Sequence, residues 1–433
     1  MSPVEVAAIM FGTFGVLIVL RIPVSFALGL ACIPVFFIDD RLTPILLIGE
    51  MWKSYNSFIL LAVPFFLLAA NLMNAAGITE RLVKLAQAMV GHLPGGLAHV
   101  NVLVSMLFAG ISGSSTADAA GIGSLMIPAM KKQGYDASFS VAITACSSVM
   151  GVIIPPSIMM IVWGGLMSVS IGGLFLAGVL PGLLIALLMM GTVLVFAKVR
   201  DYPVYDRASW SELLRAAGQA SLALVTPAII VGGIIGGLFT PTEASAVAVV
   251  YSALLGILIY RSIGLRKFPK VFYESARLAA ISLFCIGTAS AFGWLLAYFR
   301  IPQALVEGMS AWGTGPVATG LLIALAFLFV GMFIDAIPAI IVVGTVLLPL
   351  AEEVGIHPIH FAMIGVISLA FGLVTPPYGL CLLISCSLGE IKVVDALKDV
   401  GLVLVPMLAL LIFVIIFPDF VLFLPRLLTP EFL

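Results

Sequence analysis

The chain has 433 residues, of which 62% are hydrophobic and 9% charged. This composition leaves too little polar surface for a body dissolved in water and is typical of a polytopic membrane protein. The net charge of −1 does not suggest nucleic acid as a partner. All five cysteines lie in apolar runs, where we expect small buried side chains and no disulfide framework or zinc site.

Apolar blocks predict an all-α protein with many membrane helices. Several blocks are shorter than the roughly 20 residues that a full span requires, which suits half-helices and re-entrant hairpins. The blocks lie near residues 4–20, 22–38, 57–75, 100–117, 119–130, 138–153, 157–169, 173–197, 219–238, 243–260, 278–298, 316–334, 336–350, 360–374, 378–389 and 399–424.

The polar interruptions indicate surface helices and orientation. The stretches 39–56 and 261–277 combine mixed charge with aromatic residues, as a helix at the membrane surface does, and a solvated connector is the alternative for each. The stretches 198–215 and 261–277 hold most of the basic charge of the long loops, and two spans separate them. Both are therefore expected on the cytoplasmic side.

A pattern of prolines and glycines occurs twice, shifted by 221 residues. Two hydrophobic segments broken at corresponding places in two halves of a chain indicate the midplane binding site of a secondary transporter. The sequence therefore predicts two repeats, each with a broken helix. The copies are Pro128, Gly134, Gly151, Pro155 and Pro156, and then Pro349, Gly355, Gly372, Pro376 and Pro377.

The proline pairs predict cation binding. Two consecutive prolines remove two backbone donors and clash with the preceding turn, so carbonyls just upstream lose their helical partners. Within a membrane those carbonyls need a cation, a water or a protein donor. Sodium suits them, with hydroxyls of Ser112, Ser114, Ser115, Thr116 and Thr375 as further ligands. The alternative is that the prolines only kink their helices.

Asp118 and Asp335 are the two acidic residues most clearly inside apolar sequence. A charge at membrane depth costs several kcal/mol unless it is paired or faces a cavity. For Asp118 a helix cap and a sodium ligand are equally favoured, whereas Asp335 is expected to be a ligand; a proton carrier is a further alternative. At residues 240–243, Thr240 or Thr242 is expected to cap a turn, although these hydroxyls could also reach a cation.

These motifs closely resemble the large membrane subunit of tripartite ATP-independent periplasmic (TRAP) transporters over nearly the whole chain. Two further elements carry the resemblance, Gly-Leu-Phe-Thr-Pro-Thr-Glu-Ala at 237–244 and Gly-Leu-Val-Thr-Pro-Pro-Tyr-Gly at 372–379. It implies an elevator-type fold of two inverted repeats, each with a re-entrant hairpin and a discontinuous helix, mounted on outer scaffold helices.

The implied organisation has five parts. They are scaffold helices with an interfacial arm at 1–90, a first transport repeat at 91–197, cytoplasmic loops and scaffold helices at 198–300, a second transport repeat at 301–398 and a C-terminal membrane helix at 399–433.

The resemblance also implies sodium-coupled secondary active uptake, not an enzymatic activity, with two or more Na⁺ ions carried. The motif around Asp335 has no matching copy near Asp118, so the two ion sites need not be chemically equivalent. The implied ligands are Ser112, Ser114, Gly151, Ile154 and Pro155 for one site, and Gly331, Asp335, Gly372, Thr375 and Pro376 for the other.

The implied partners are a small four-helix membrane subunit, a soluble periplasmic binding protein that delivers the substrate, and the lipid of a bacterial inner membrane. Family substrates are mostly carboxylates, and we favour sialic acid, with a C4-dicarboxylate next. Candidate substrate contacts are Ser115, Thr116, Asp118, Arg300 and Pro377. Arg300 could clamp a carboxylate through two hydrogen bonds, or could extend to the membrane interface.

Two other classes share part of the pattern. An intramembrane aspartyl protease also needs two aspartates at membrane depth, but the sequence has no Gly-x-Gly-Asp element. An ion or solute channel would share the broken helices. His357 and His360 could suggest a metal site, yet they follow acidic residues in an expected loop, where an interface role is favoured.

Overall fold

The computed structural model describes residues 2–264, 266–310 and 315–432, which form helices joined by turns and coil. The first half contains α1 (Pro3–Val19), α2 (Val24–Ala31), α3 (Ile33–Phe36), α4 (Pro44–Tyr55), α5 (Ala62–Ala75), α6 (Ile78–Val90), α7 (Gly96–Ser112), α8 (Ser115–Lys132), α9 (Ala137–Ser148), α10 (Met150–Ile153), α11 (Ile158–Met167) and α12 (Ile171–Arg200). The second half contains α13 (Trp210–Ile235), α14 (Pro241–Leu254), α15 (Phe268–Tyr298), α16 (Ile301–Ser310), α17 (Pro316–Gly331), α18 (Ala336–Ala339), α19 (Thr345–Glu353), α20 (Pro358–Gly372), α21 (Leu380–Gly389), α22 (Val393–Ile416) and α23 (Pro418–Leu428). Short 3-10 helices lie at Ile59–Leu61 and Pro430–Phe432, and π-helical turns at Leu255–Ile259 and Ile340–Gly344.

Within the described residues, six helices are long and apolar enough to cross a membrane. Two further helix pairs are bent, by 72° between α4 and α5 and by 40° between α9–α10 and α11, so up to eight crossings are present if each pair counts as one. The six are α12, α13, α14 with its π turn, α15, α18 to α19, and α22. The predicted all-α polytopic class is confirmed.

Each copy of the repeated pattern folds as a hairpin followed by a broken helix. In the first copy α7 and α8 turn back at residues 113–114, and α10 and α11 flank the break at 154–157. In the second copy α17 and α18 turn at 332–335, and α20 and α21 flank the break at 373–379. The predicted pair of broken segments is therefore confirmed.

The two repeats interlock through the far halves of their broken helices. Helix α21 packs on α8 and α9, and α11 packs on α20. The Trp163 ring of α11 lies with its centroid 5.5 Å from that of Phe327 and 5.3 Å from that of Phe361. Trp163 is fully buried, so each repeat completes the core of the other.

The surface helices differ from the prediction in one half. Helix α4 lies within 39–56, at Pro44–Tyr55, but 261–277 is not a separate counterpart, because residues 268–277 are the beginning of the continuous helix α15. Symmetry instead relates α6 to α16: shifting 78–90 by 221 gives 299–311, which overlaps α16. Both are amphipathic helices that directly precede a hairpin.

The predicted C-terminal span is divided. Helix α22 ends at Ile416, Phe417 adopts φ −118° and ψ 78°, and α23 begins at Pro418. Proline lacks the N–H that would continue the helix and pushes its preceding residue out of the helical region, which explains the break. At the other predicted turn, Thr240 caps α14 with its side chain accepting from Glu243 N at 3.3 Å, as expected.

The contact between the repeats depends on Gly365. A Cβ atom there would lie 2.2 Å from Cη2 of Trp163, inside a ring cluster that has no room to move. We expect Gly365→Ala to lower the free energy of unfolding by about 1–3 kcal/mol, seen as a lower thermal unfolding midpoint in detergent. In α22 a Cβ on Gly401 meets nothing within 4 Å, so Gly401→Ala is the matched control. Equal midpoints for the two variants would contradict the packing described.

Candidate functional site

The first hairpin tip is tied to the first break. Helix α7 ends at Ser112, and Gly113 turns the chain at φ 64°, a conformation that L side chains rarely adopt. The Gly113 carbonyl accepts a hydrogen bond from Ile158 N at 3.2 Å. Ser114 then caps α8, accepting from Ala117 N at 3.4 Å. The tip is thus held against the start of α11.

The first break supplies hydrogen-bond partners for some of its own backbone groups. Ile154 leaves the helix with ψ 131°, and the peptide bond between the two following prolines is cis. Ser157 begins α11 by accepting from Met160 N at 3.2 Å, and its hydroxyl donates to the Val152 carbonyl at 2.6 Å. One of the carbonyls expected to lose its helical partner therefore receives a side-chain donor.

Asp118 of α8 lies beside the segment that leads into the first break. It is 0% exposed and lies one turn inside α8; one of its carboxylate oxygens accepts from the Ser112 hydroxyl. The other oxygen has no hydrogen-bond partner among the described residues and lies 2.4 Å from where a Cβ on Gly151 would be. The helix-cap interpretation of Asp118 is wrong, because Ser114 caps α8.

The second tip is tied to the second break in the same way. The Met332 carbonyl accepts from Tyr378 N at 3.1 Å. Asp335 caps α18, its carboxylate accepting from Ala336 N at 2.8 Å. Asp335 is exposed on the wall of a cavity.

Backbone contact joins the remaining members of the second predicted ion site. A Cβ on Gly372 would lie 2.7 Å from both Cα and the carbonyl carbon of Gly331, so the hairpin and the broken helix touch along their main chains. Thr375 donates its hydroxyl to the Phe371 carbonyl at 2.7 Å. A cis peptide bond joins Pro376 and Pro377.

Both tips line one cavity of about 570 Å³. Its walls are residues 112–117 of the first tip, residues 335–337 of the second, α5 and α15. Asp335 is the one acidic side chain among its described lining residues, none of which is basic. The cavity thus offers hydroxyls, amides and helix N-termini in an otherwise apolar wall.

Sequence reasoning missed several polar side chains that line the cavity, above all those of α5. Asn71 and Asn74 of α5 line the cavity. Asn71 donates from its amide to the Ser275 hydroxyl at 2.8 Å, and Asn74 accepts from the Thr79 hydroxyl at 3.2 Å. Two asparagines three residues apart in the apolar block 57–75 were the available signal. Ser124 and Ser282 also line the wall.

The predicted substrate contacts separate in space. Ser115 and Thr116 line the cavity, whereas Asp118 is buried and Pro377 is exposed on the second break. Arg300 lies in a different hollow, formed by Pro3 and the beginning of α16. Arg300 is therefore not among the lining residues of the cavity between the tips.

The two histidines have structural partners. His357 caps α20, its ring accepting from Ile359 N at 3.2 Å. His360 is buried within that helix, with Nε2 2.9 Å from the Val414 carbonyl oxygen.

The main-chain contact at the second break is testable through Gly372→Ala. The added Cβ would meet main-chain atoms of Gly331, which cannot rotate away as a side chain does. We expect severalfold slower substrate uptake by the reconstituted protein together with a lower unfolding midpoint. Gly191→Ala in α12, where nothing lies within 4 Å, should change neither. Normal uptake by the Gly372 variant would show that this contact is dispensable.

Two hairpins and two broken helices around one cavity define the chain as a polytopic membrane transporter. A match to the tripartite ATP-independent periplasmic transporter, DctM component, extends over residues 11–420, and the chain belongs to this family. The chain is 37% identical to the sialic acid TRAP transporter large permease protein SiaM of Vibrio cholerae, over 96% of this chain and 97% of that one. It is 40% identical to the C4-dicarboxylate TRAP transporter large permease protein DctM of Pseudomonas aeruginosa, over 78% and 79%.

The fold has a solved counterpart. The crystal structure of the Alcanivorax borkumensis YdaH transporter superposes with a TM-score of 0.59, covering 86% of this chain and 87% of that one at 15% identity. The resemblance to TRAP large subunits is confirmed, and the protein is a transporter and not an enzyme. It is a multi-pass protein of the bacterial inner membrane, and its family implies a small membrane subunit and a periplasmic binding protein as partners.

Proposed function

We propose that this chain carries out sodium-coupled secondary active uptake of an organic carboxylate that a periplasmic binding protein delivers. The observation that carries the proposal is the single cavity at which both hairpin tips meet α5 and α15. Each tip is hydrogen-bonded to its own proline break. Ion sites at the breaks and a substrate site in the cavity would therefore share the same two tips.

The first sodium site is proposed at Ser112, Ser114, Gly151, Ile154 and Pro155. The free carboxylate oxygen of Asp118 supports this placement, since it is fully buried beside Gly151 and has no described hydrogen-bond partner. A buried charge without a partner is costly in a membrane, and a sodium ion would supply one. We therefore assign Asp118 to the first ion site and not to the substrate.

The second sodium site is proposed at Gly331, Asp335, Gly372, Thr375 and Pro376. Carboxylate, hydroxyl and carbonyl oxygens are the ligands that hard cations prefer. Within the described residues there is no group of three or more His, Cys, Asp or Glu side chains, which favours this oxygen chemistry over a transition-metal site.

The substrate carboxylate is proposed to bind at the first tip. Helix α8 presents its N-terminus there, with the hydroxyls of Ser115 and Thr116 on the cavity wall. A helix N-terminus carries partial positive charge and free N–H groups, so it can hold an anion without a basic side chain. The amides of Asn71 and Asn74 can hold the remaining polar groups of the substrate from the scaffold side.

Electrostatics provides the coupling. Asp335 lines the cavity that the anionic substrate would enter, so its carboxylate repels that substrate until a cation neutralises it. Sodium binding then raises substrate affinity, and substrate binding raises sodium affinity by the same factor. The result is cotransport without any direct bond between ion and substrate.

The interlocked repeats support movement as one body. Helices α11 and α21 each pack on the opposite repeat, so residues 91–197 and 301–398 cannot separate without exposing a buried aromatic core. We propose that this body carries the tips past α5 and α15 in an elevator-type motion, between openings on the two membrane sides.

Sialic acid is the first substrate we propose, and a C4-dicarboxylate the second. Support comes from the similarity to SiaM over nearly the whole chain and from a cavity of about 570 Å³, which a nine-carbon sugar acid fills better than a four-carbon diacid. The similarity to DctM keeps the dicarboxylate as the direct competitor.

Reconstitution tests the ion coupling and the substrate together. The chain with its small subunit and binding protein in liposomes should take up sialic acid only under an inward sodium gradient, with more than one ion per substrate. Net inward charge should make uptake voltage-dependent, since each charge is worth about 2.3 kcal/mol per 100 mV. Uptake that proceeds equally in potassium or requires ATP would overturn the coupling. Faster uptake of succinate than of sialic acid would overturn the substrate assignment.

Charge removal tests the two ion sites. Asp335→Asn and Asp118→Asn keep the side-chain size but remove the charge that balances a cation, so each should raise the sodium concentration for half-maximal uptake at least tenfold. Asp201→Asn is the matched control, because Asp201 lies in the coil after α12 at φ 53°, which asparagine tolerates. An unchanged sodium curve for either site variant, in protein that unfolds at the normal temperature, would remove that aspartate from the ion sites.

A further inference from the structure

A basic groove lies between α6 and α13, away from the cavity at the hairpin tips. It consists of two adjoining hollows of about 510 and 570 Å³ that share Lys84 and Gln219. The coil that links α12 to α13 closes one end, and Tyr260 and Ser262 close the other. Three separate parts of the chain therefore build one elongated depression.

The first hollow contains three cations that form no ion pair with a described carboxylate. Lys84, Arg207 and Arg215 line it, and none makes an ion pair within 4.0 Å among the described residues. Glu212 and Asp206 also line it. The Glu212 carboxylate accepts from the Ser209 backbone N and hydroxyl, both at 2.8 Å, and the Arg215 charge acts on it from beyond ion-pair distance.

The second hollow has a positioned arginine. The Arg81 guanidinium stacks over the Tyr260 ring, 3.7 Å from its centroid, and donates to the carbonyls of Gly77 at 2.6 Å and Ala76 at 3.0 Å. Glu80 is the acidic residue on this wall. Across both hollows there are four cationic and three acidic side chains.

The beginning of α13 has the side chains of a membrane interface. Helix α13 is a membrane-spanning candidate that begins at Trp210, and Trp210 and Leu214 are 75% and 69% exposed in its first turns. Tryptophan is enriched where the hydrocarbon meets the headgroups. The basic loops on either side of the α13–α14 pair favour the cytoplasmic face for this end.

We propose that this groove binds the headgroup of an anionic phospholipid from the cytoplasmic leaflet. Lys84, Arg207 and Arg215 would hold the phosphate through charge-assisted hydrogen bonds, and the acyl chains would follow Leu214 and Trp210 along α13. Basic pockets at this depth of a membrane protein suit such headgroups.

The location links lipid binding to the moving part of the protein. Helix α6 connects α5, which walls the cavity, to α7, which forms the first hairpin. It packs on both α7 and α13. A lipid that bridges α6 and α13 braces the joint between the outer helices and the first repeat, so it should stabilise the folded protein.

The test uses the full chain with its small subunit, in nanodiscs of phosphatidylcholine with or without phosphatidylglycerol. Thermal unfolding and native mass spectrometry of lipids retained after detergent extraction are the two measurements. Phosphatidylglycerol should raise the unfolding midpoint and remain bound at one site. The triple variant Lys84→Gln, Arg207→Gln, Arg215→Gln should lose both effects, with affinity weaker by on the order of a hundredfold, from about 1 kcal/mol per cation.

Two controls keep the proposal falsifiable. Arg266→Gln, Lys267→Gln, Arg277→Gln removes the same charge from the other basic segment and should retain the lipid effects. Arg207→Gln alone changes one side chain of the coil and should weaken lipid retention even if the triple variant fails to fold. The proposal would be overturned if the control triple lost lipid retention and stabilisation equally, or if the Arg207 variant retained the lipid fully. It would also be overturned if inorganic phosphate stabilised the protein in phosphatidylcholine to the same extent, and the ligand would then be free phosphate.

Discussion

Main-chain polar groups inside a membrane must find partners within the protein, and this constraint organises the whole molecule. The proline pairs interrupt two helices at membrane depth. In each repeat the preceding hairpin tip supplies a partner: the Gly113 carbonyl accepts from Ile158 N, and the Met332 carbonyl accepts from Tyr378 N. A break and its tip are therefore one structural unit, and the cavity exists where two such units approach each other.

The two units are alike in backbone and different in chemistry. Asp118 lies inside a helix and is wholly buried, while Asp335 is a helix cap on the cavity wall. Their offset of 217 residues, against 221 for the prolines, places them at different points relative to their tips. The first break is enclosed, whereas Tyr378 of the second is 49% exposed. A single repeated pattern thus yields one aspartate enclosed in the protein and one on the cavity wall.

A network of charged side chains joins helices α9, α12 and α22. Arg200 of α12 donates to the carboxylate of Asp399, with one N–O distance of 2.5 Å, and to that of Asp136 at 2.9 Å. Asp399 is buried in α22, and Ser138 of α9 donates to it at 2.7 Å. Helices from both halves of the chain are joined there. Together with the Trp163 cluster, this network connects the two halves of the chain.

The sequence by itself determined the membrane class, the two broken segments and the family, and it identified the two aspartates that lie in apolar sequence. These features follow from local signals. A proline lacks its N–H wherever it lies, and an apolar run is apolar in any fold. Only the tertiary structure decided that Asp118 faces Gly151, that Asn71 and Asn74 reach the cavity, and that Arg300 lies outside it. Those facts depend on which helices pack together, and residues distant along the chain determine that packing.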